Sequence, residues 1–180
     1  MTRVVTILAV SGSLRAKSTN TALLQACALL APAGMRLELY EGTGALPHFN
    51  ADLDTESPPA AVAQWRSRVA AADALIIACP EYARGVPGTL KNALDWLAGS
   101  SDIVEKPVAL LNGSARSTHA QESLAIILKT ISARLIAEQP YLAHVLGKSL
   151  QAQEIASDPA LAAVLRTLLA DVALATAARS

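Results

Sequence analysis

Two periodicities alternate along the chain. Residues 4–10, Val4-Val5-Thr6-Ile7-Leu8-Ala9-Val10, form a short β-branched apolar run, the pattern of a strand buried on both faces. Leu23, Leu24, Cys27 and Leu30 then recur at helical spacing, and Pro32 and Gly34 end that helix. Residues 36–40 read as a second strand, followed by a long loop over residues 41–59 rich in Gly, Pro and Asp. Val62, Trp65, Val69 and Ala72 mark the next helix and residues 74–79 a third strand. The alternation continues through a helix striped by Leu90, Leu94 and Leu97, a strand over residues 107–111, and a helix striped by Leu124, Ile127, Leu128, Ile131 and Leu135. A weaker fifth strand over residues 140–145 and an amphipathic helix carrying Leu161, Leu165, Leu168, Leu169 and Val172 close the chain. Such alternation, with no repeat or linker, predicts a single α/β domain over residues 1–180 built on a doubly wound, five-stranded parallel sheet. Right-handed crossovers must fill both faces of that sheet with helices.

Composition sharpens the picture by exclusion. The 180 residues hold Lys+Arg 15 against Asp+Glu 15, a formal charge of +0, and are 52% hydrophobic, enough for a sizeable core. Balanced charge predicts no nucleic-acid partner and no anionic membrane surface as a partner, since both call for a basic excess or patch. The long apolar stretches are broken: residues 74–79 are few, and residues 161–178 carry Arg166 and Asp171. None reaches the roughly 20 uninterrupted apolar residues of a membrane span. Met1-Thr2-Arg3 leads into a strand-like run with no cleavage-site pattern, so the expectation is a soluble, cytoplasmic protein. Cys27 and Cys79 make neither a disulfide framework nor a metal-ligand spacing and read as small core residues.

In a doubly wound sheet, ligands sit outside the carboxyl ends of the strands, so the loops after the first, third and fourth strands are the places to look for chemistry. The first reads Ser11-Gly12-Ser13-Leu14-Arg15-Ala16-Lys17-Ser18-Thr19-Asn20 and runs into a helix start. Unpaired N–H groups and the partial positive charge of a helix N-terminus suit a phosphate dianion. Ser13, Ser18, Thr19 and Asn20 can donate to its oxygens, and Arg15 can bind it bidentately. No GxxxxGK[ST] occurs, and no GxGxxG follows this strand. The nucleophilic Cys of a low-molecular-weight phosphatase and the strand-end Asp of a response regulator are also missing.

The loop after the third strand reads Pro80-Glu81-Tyr82-Ala83-Arg84-Gly85-Val86-Pro87-Gly88-Thr89-Leu90-Lys91-Asn92-Ala93-Leu94-Asp95-Trp96-Leu97. Together with residues 12–20 it resembles the NADPH-dependent FMN reductase family, which writes GSxRxxSxN in the first loop and PEYNxxxPGxLKNAIDWL in the second. The likeness extends through residues 46–53 and most of the chain. It implies a flavodoxin-like fold, a non-covalent FMN, and electron transfer from NADPH or NADH to a small-molecule acceptor of quinone-like, azo, metal-oxyanion or flavin type. By position, Ser13, Arg15, Ser18 and Asn20 would hold the FMN phosphate. Pro80, Glu81, Tyr82 and the backbone of Ala83 would flank the flavin ring. No catalytic side chain is expected, because the flavin carries the chemistry. The alternative is a non-enzymatic flavin-binding electron carrier or redox-responsive module.

Two departures from the family pattern stand out. Ala83 occupies the place where the family writes Asn, which removes a side-chain donor. The fourth loop, residues 112–119, replaces a glycine-rich turn with Asn112-Gly113-Ser114-Ala115-Arg116-Ser117-Thr118-His119, in which Ser114 can still approach the flavin. Trp96 lies well off the Leu90, Leu94 and Leu97 stripe at 100° per residue. A large aromatic off the core face predicts a subunit contact, and a homodimer or homotetramer is expected.

Overall fold

The computed structural model describes residues 3–145 and 150–178, which leaves Met1 and Thr2 of the leading segment outside the described residues. Strands β1 (Val5–Ser11), β2 (Met35–Tyr40), β3 (Ala74–Ala78) and β4 (Pro107–Asn112) run parallel in the order β2-β1-β3-β4. Val10 thus stands beside Tyr40 on one side and Ile77 on the other, and Ile77 beside Leu110, so the strand ends line up at one edge. Successive residues of each strand point to opposite faces. Leu8, Val10, Leu75, Ile77, Val108 and Leu110 belong to one core, beneath helices α2 (Ala60–Ala71), α3 (Gly88–Asp95) and α4 (His119–Thr130). Ile7, Ala9, Ala74, Ile76, Ala78, Ala109 and Leu111 belong to the other, beneath α1 (Thr19–Leu30), α5 (Ala152–Ser157) and α6 (Pro159–Ala177). The alanines on that second face let its helices approach the sheet closely.

The fifth strand differs from expectation. It is split into β5 (Arg134–Leu135) and β6 (Tyr141–Leu142), both parallel to β4, with β5 opposite Pro107 and Val108 and β6 opposite Leu111 and Asn112. Pro140 has no N–H for the ladder, and such a residue is tolerated only at a sheet edge. Leu135 therefore lies in a strand and not on the helix stripe, because α4 stops at Thr130 and Ser132 turns the chain at φ 62°. The short helix α5, which periodicity did not announce, starts with a reciprocal Gln151–Glu154 capping box. By length and composition alone the 19-residue α6 is apolar enough to cross a membrane despite Arg166 and Asp171. Its buried face, with Leu161, Leu165, Leu168, Leu169 and Val172, packs into the second core.

Trp96 corrects the expected subunit contact. It is 0% exposed, its indole Nε1 donates to Pro47 O at 2.8 Å, and its ring meets Phe49 edge-on at 5.0 Å. Helix α3 ends at Asp95, so Trp96 is the C-cap residue and helical periodicity no longer fixes its direction. The indole turns beneath the loop of its own chain.

Candidate functional site

Loop 1, between β1 and α1, is built on a buried hydroxyl. Ser11 Oγ accepts from Ser13 N at 3.2 Å and from Thr21 Oγ1 at 3.1 Å, while it donates to Ser13 O. Gly12 makes the close approach possible: its amide donates to Ala78 O at 2.8 Å, and a Cβ there would stand 3.0 Å from Pro80 Cδ and 3.1 Å from Leu90 Cδ2. At the helix start, Ser18 Oγ accepts from Thr21 N at 3.3 Å as the N-cap of α1. Its own O–H proton stays available, so capping and anion binding do not compete for the same atom.

Loop 3, after β3, is tied to α4. Glu81 Oε2 accepts from Ala120 N at 3.0 Å, which gives α4 the cap its own Thr118 does not supply. Gln121 Nε2 donates to Cys79 O at 2.9 Å. Residues 82–85 close a two-residue turn in which Tyr82 and Gly85 exchange backbone hydrogen bonds of 3.2 and 3.0 Å. Both central residues, Ala83 at φ 49° and Arg84 at φ 60°, are left-handed, as a type I′ turn requires. That conformation is the physical reason for Asn in the family pattern, since Asn tolerates it better than Ala. Tyr82, about half exposed, reaches back to Ser13, the two hydroxyls lying 3.3 Å apart.

Loop 4, after β4, is organised by Asn112. Its Oδ1 accepts from Ser114 N at 3.0 Å and its Nδ2 donates to Ser117 O at 3.3 Å. Ser117 N donates to Ser114 O, closing a turn that presents Arg116 outward.

These three loops enclose one cavity of about 470 Å³. Loop 1 contributes Ser13, Arg15, Ser18, Thr19 and Asn20; loop 3 contributes Cys79, Pro80, Glu81 and Tyr82. Loop 4 supplies Asn112, Gly113, Ser114, Arg116 and Ser117. Of the residues expected from the sequence, all but Ala83 lie on this wall; Ala83 sits at the tip of the turn behind Tyr82. Asn112 and Ser117 were not foreseen, because nothing in their spacing distinguishes them from ordinary loop residues. Cys79 reads as core from the sequence, and although it lines the cavity it is only 1% exposed, its thiol donating to Pro80 O. Burial, with the Glu81 carboxylate adding to it, pushes that thiol up to about 12, so it stays protonated and unreactive near neutral pH.

A helix N-terminus facing a cavity at the carboxyl ends of the strands, with the order β2-β1-β3-β4, defines a flavodoxin-like α/β fold. Residues 5–146 match the model of the NADPH-dependent FMN reductase family, and the chain belongs to that family. Among its relatives, an NAD(P)H-dependent FMN reductase of Pseudomonas aeruginosa is 42% identical over 61% of this chain and 60% of its own length. The chain thus matches under two thirds of that relative. A quinone reductase of Escherichia coli K12 is 31% identical over 84% of this chain and 82% of its own. The solved structure of FerB, a flavoenzyme NAD(P)H:(acceptor) oxidoreductase of Paracoccus denitrificans, superposes with a TM-score of 0.77 at 25% identity, covering 96% of this chain and 97% of that one.

The residues present fit FMN. The N-terminus of α1 with Arg15 and the loop 1 hydroxyls suits a phosphate dianion. The cavity is within the range that encloses a ligand of that size. Its far wall carries a buried hydroxyl, Ser117 Oγ, with no partner among the described residues.

Proposed function

We propose that the chain is an NAD(P)H oxidoreductase that uses non-covalent FMN to pass electrons from NADPH or NADH to small acceptors: quinone-like, azo, metal-oxyanion or flavin compounds. The observation that carries this reading is the cavity in which the N-terminus of α1 faces loops 3 and 4. The names of the relatives, FMN reductase and quinone reductase, point the same way. FMN, when bound, supplies hydride acceptance and electron delivery, so the reading requires no catalytic side chain of the wall. The protein's own part is to bind and orient. Arg15, Ser13, Ser18 and Asn20 hold the phosphate, Pro80, Glu81 and Tyr82 flank the ring, and Ser114 approaches its edge. The Glu81–Ala120 bond fixes loop 3 against the N-terminus of α4, into which loop 4 runs.

NAD(P)H and acceptor take the same place in turn, a ping-pong cycle. Purified protein is expected to show flavin absorbance, or to acquire it with FMN, and to bleach within milliseconds to seconds of mixing with NADPH or NADH. Initial-rate lines should be parallel in double-reciprocal plots; intersecting lines would reject the shared place. Bound flavin that resists both nucleotides would leave a carrier rather than an enzyme, and no flavin binding would end the reading altogether. We place the reaction in the cytoplasm, where NAD(P)H is supplied. Assembly as a homodimer or homotetramer would use a surface other than Trp96, and light scattering measures it.

A further inference from the structure

Loop 4 holds a hydroxyl that no described residue engages. Ser117 is 6% exposed, and its Oγ has no hydrogen-bond partner among the described residues. Its backbone is committed on both sides: N–H to Ser114 O at 3.0 Å, and C=O to Asn112 Nδ2 at 3.3 Å. These bonds fix the backbone, so the hydroxyl keeps only its rotation about Cα–Cβ, and Ser117 stays at the cavity wall. A buried unpaired hydroxyl is unfavourable, and native proteins rarely keep one without cause.

Position supplies the cause. Ser117 lines the cavity, in the loop after β4, whereas the phosphate-binding turn follows β1. One strand, β3, lies between them, so the two loops start two strand spacings apart, roughly 10 Å. A ligand whose phosphate rests on the N-terminus of α1 can reach Ser117 with its other end, across that spacing.

We infer that Ser117 Oγ is a preorganised hydrogen-bond donor to a carbonyl of the flavin's pyrimidine ring, kept unpaired in the free protein for that purpose. The inference rests on the reading that FMN occupies the cavity, and it adds a ring-recognition residue to the positions that the family pattern supplies. It also carries a signature that a packing role lacks: the hydroxyl should cost stability in the free protein and add affinity in the complex.

Ser117→Ala and Ser117→Thr, with Arg15→Ala as a phosphate-end control, test this with flavin-free protein. Flavin fluorescence quenching reads the Kd for FMN and for riboflavin, which has no phosphate; thermal unfolding reads stability without ligand. Ser117→Ala should weaken both flavins about 10-fold while leaving the unfolding midpoint unchanged or higher, and Ser117→Thr should restore most of the affinity. Arg15→Ala should weaken FMN and spare riboflavin. The inference is overturned if Ser117→Ala keeps the FMN Kd within twofold, weakens FMN but not riboflavin, or lowers the unfolding midpoint of the flavin-free protein. Wild-type protein that binds neither flavin would instead overturn the cofactor reading on which it rests, a result visible before any variant is compared.

Discussion

Ala83 shows how a single side chain can be at odds with its backbone. An L-residue other than Gly or Asn in the left-handed region is strained by about 1–2 kcal/mol, and Ala83 sits there at φ 49° because the Tyr82–Gly85 bonds close the turn around it. Ala83→Asn should raise stability by about 0.5–1 kcal/mol, seen as a higher thermal midpoint. An unchanged or lower midpoint would mean the turn is not strained. The thiols make a second prediction at this scale. Burial pushes Cys27 up from 9.0 to about 12, with its own backbone hydrogen bond opposing, and burial aided by Glu81 does the same for Cys79. Both thiols stay protonated in the folded chain where the unfolded chain ionises. The stabilisation is therefore fully present below pH 9 and is lost as pH rises from about 9 to about 12. Across that window each thiol should lower stability by up to about 1.4 kcal/mol per pH unit. Denaturation of Cys27→Ala and Cys79→Ala variants at pH 8 and pH 10.5 would show a flatter decline if this holds. A Cys79 that reacts with a thiol reagent in native protein at pH 8 would contradict it.

Elements are held by polar side chains more than their apolar stripes suggest. Lys106 is 5% exposed, and its Nζ donates to Val69, Ala70 and Ala72 carbonyls at 2.6, 3.0 and 2.7 Å, the C-terminal end of α2. A cation suits the negative end of a helix dipole, and the carbonyls would lose charged donors without it. Lys106→Met should therefore cost about 2–4 kcal/mol in chemical denaturation, whereas a loss below about 0.5 kcal/mol would mark the contacts as idle. Asn92 plays a comparable part for the loop at residues 41–59: its Oδ1 accepts from Phe49 N at 2.7 Å and its Nδ2 donates to Pro47 O at 2.9 Å. The Asn and Trp of the LKNALDWL stretch thus serve to pin a distant loop. The strands, most helices and the turn that starts α1 were legible because period and capping chemistry are local. The use of Asn92, Lys106 and Trp96 was not, since each depends on a carbonyl more than 30 positions away. The split edge strand escaped for a related reason: two-residue pairings are specified by β4, not by their own sequence.

At the scale of the whole molecule, zero net charge conceals an uneven distribution. Arg3, Arg36, Arg66, Arg68 and Lys91 pair with carboxylates. Among the described residues, Arg15, Lys17, Arg84 and Arg116 of loops 1, 3 and 4 are in no ion pair, as are Lys129, Arg134 and Arg166 away from the cavity; Arg15 and Arg116 line the cavity itself. A cluster of uncompensated cations at a concave site raises the local concentration of anions, an effect that salt screens over about 10 Å at 0.1 M. NADPH carries one phosphate more than NADH, and a neutral quinone carries none. Raising NaCl from about 20 to about 500 mM should therefore raise the KM for NADPH by about 3–10-fold, that for NADH less, and that for a neutral quinone hardly at all, with kcat little changed. Arg84→Ala and Arg116→Ala should each reduce the salt dependence of NADPH relative to NADH. Equal salt sensitivity of the three substrates would show that the rim exerts no steering, and that the dinucleotide is held by contacts within the cavity instead.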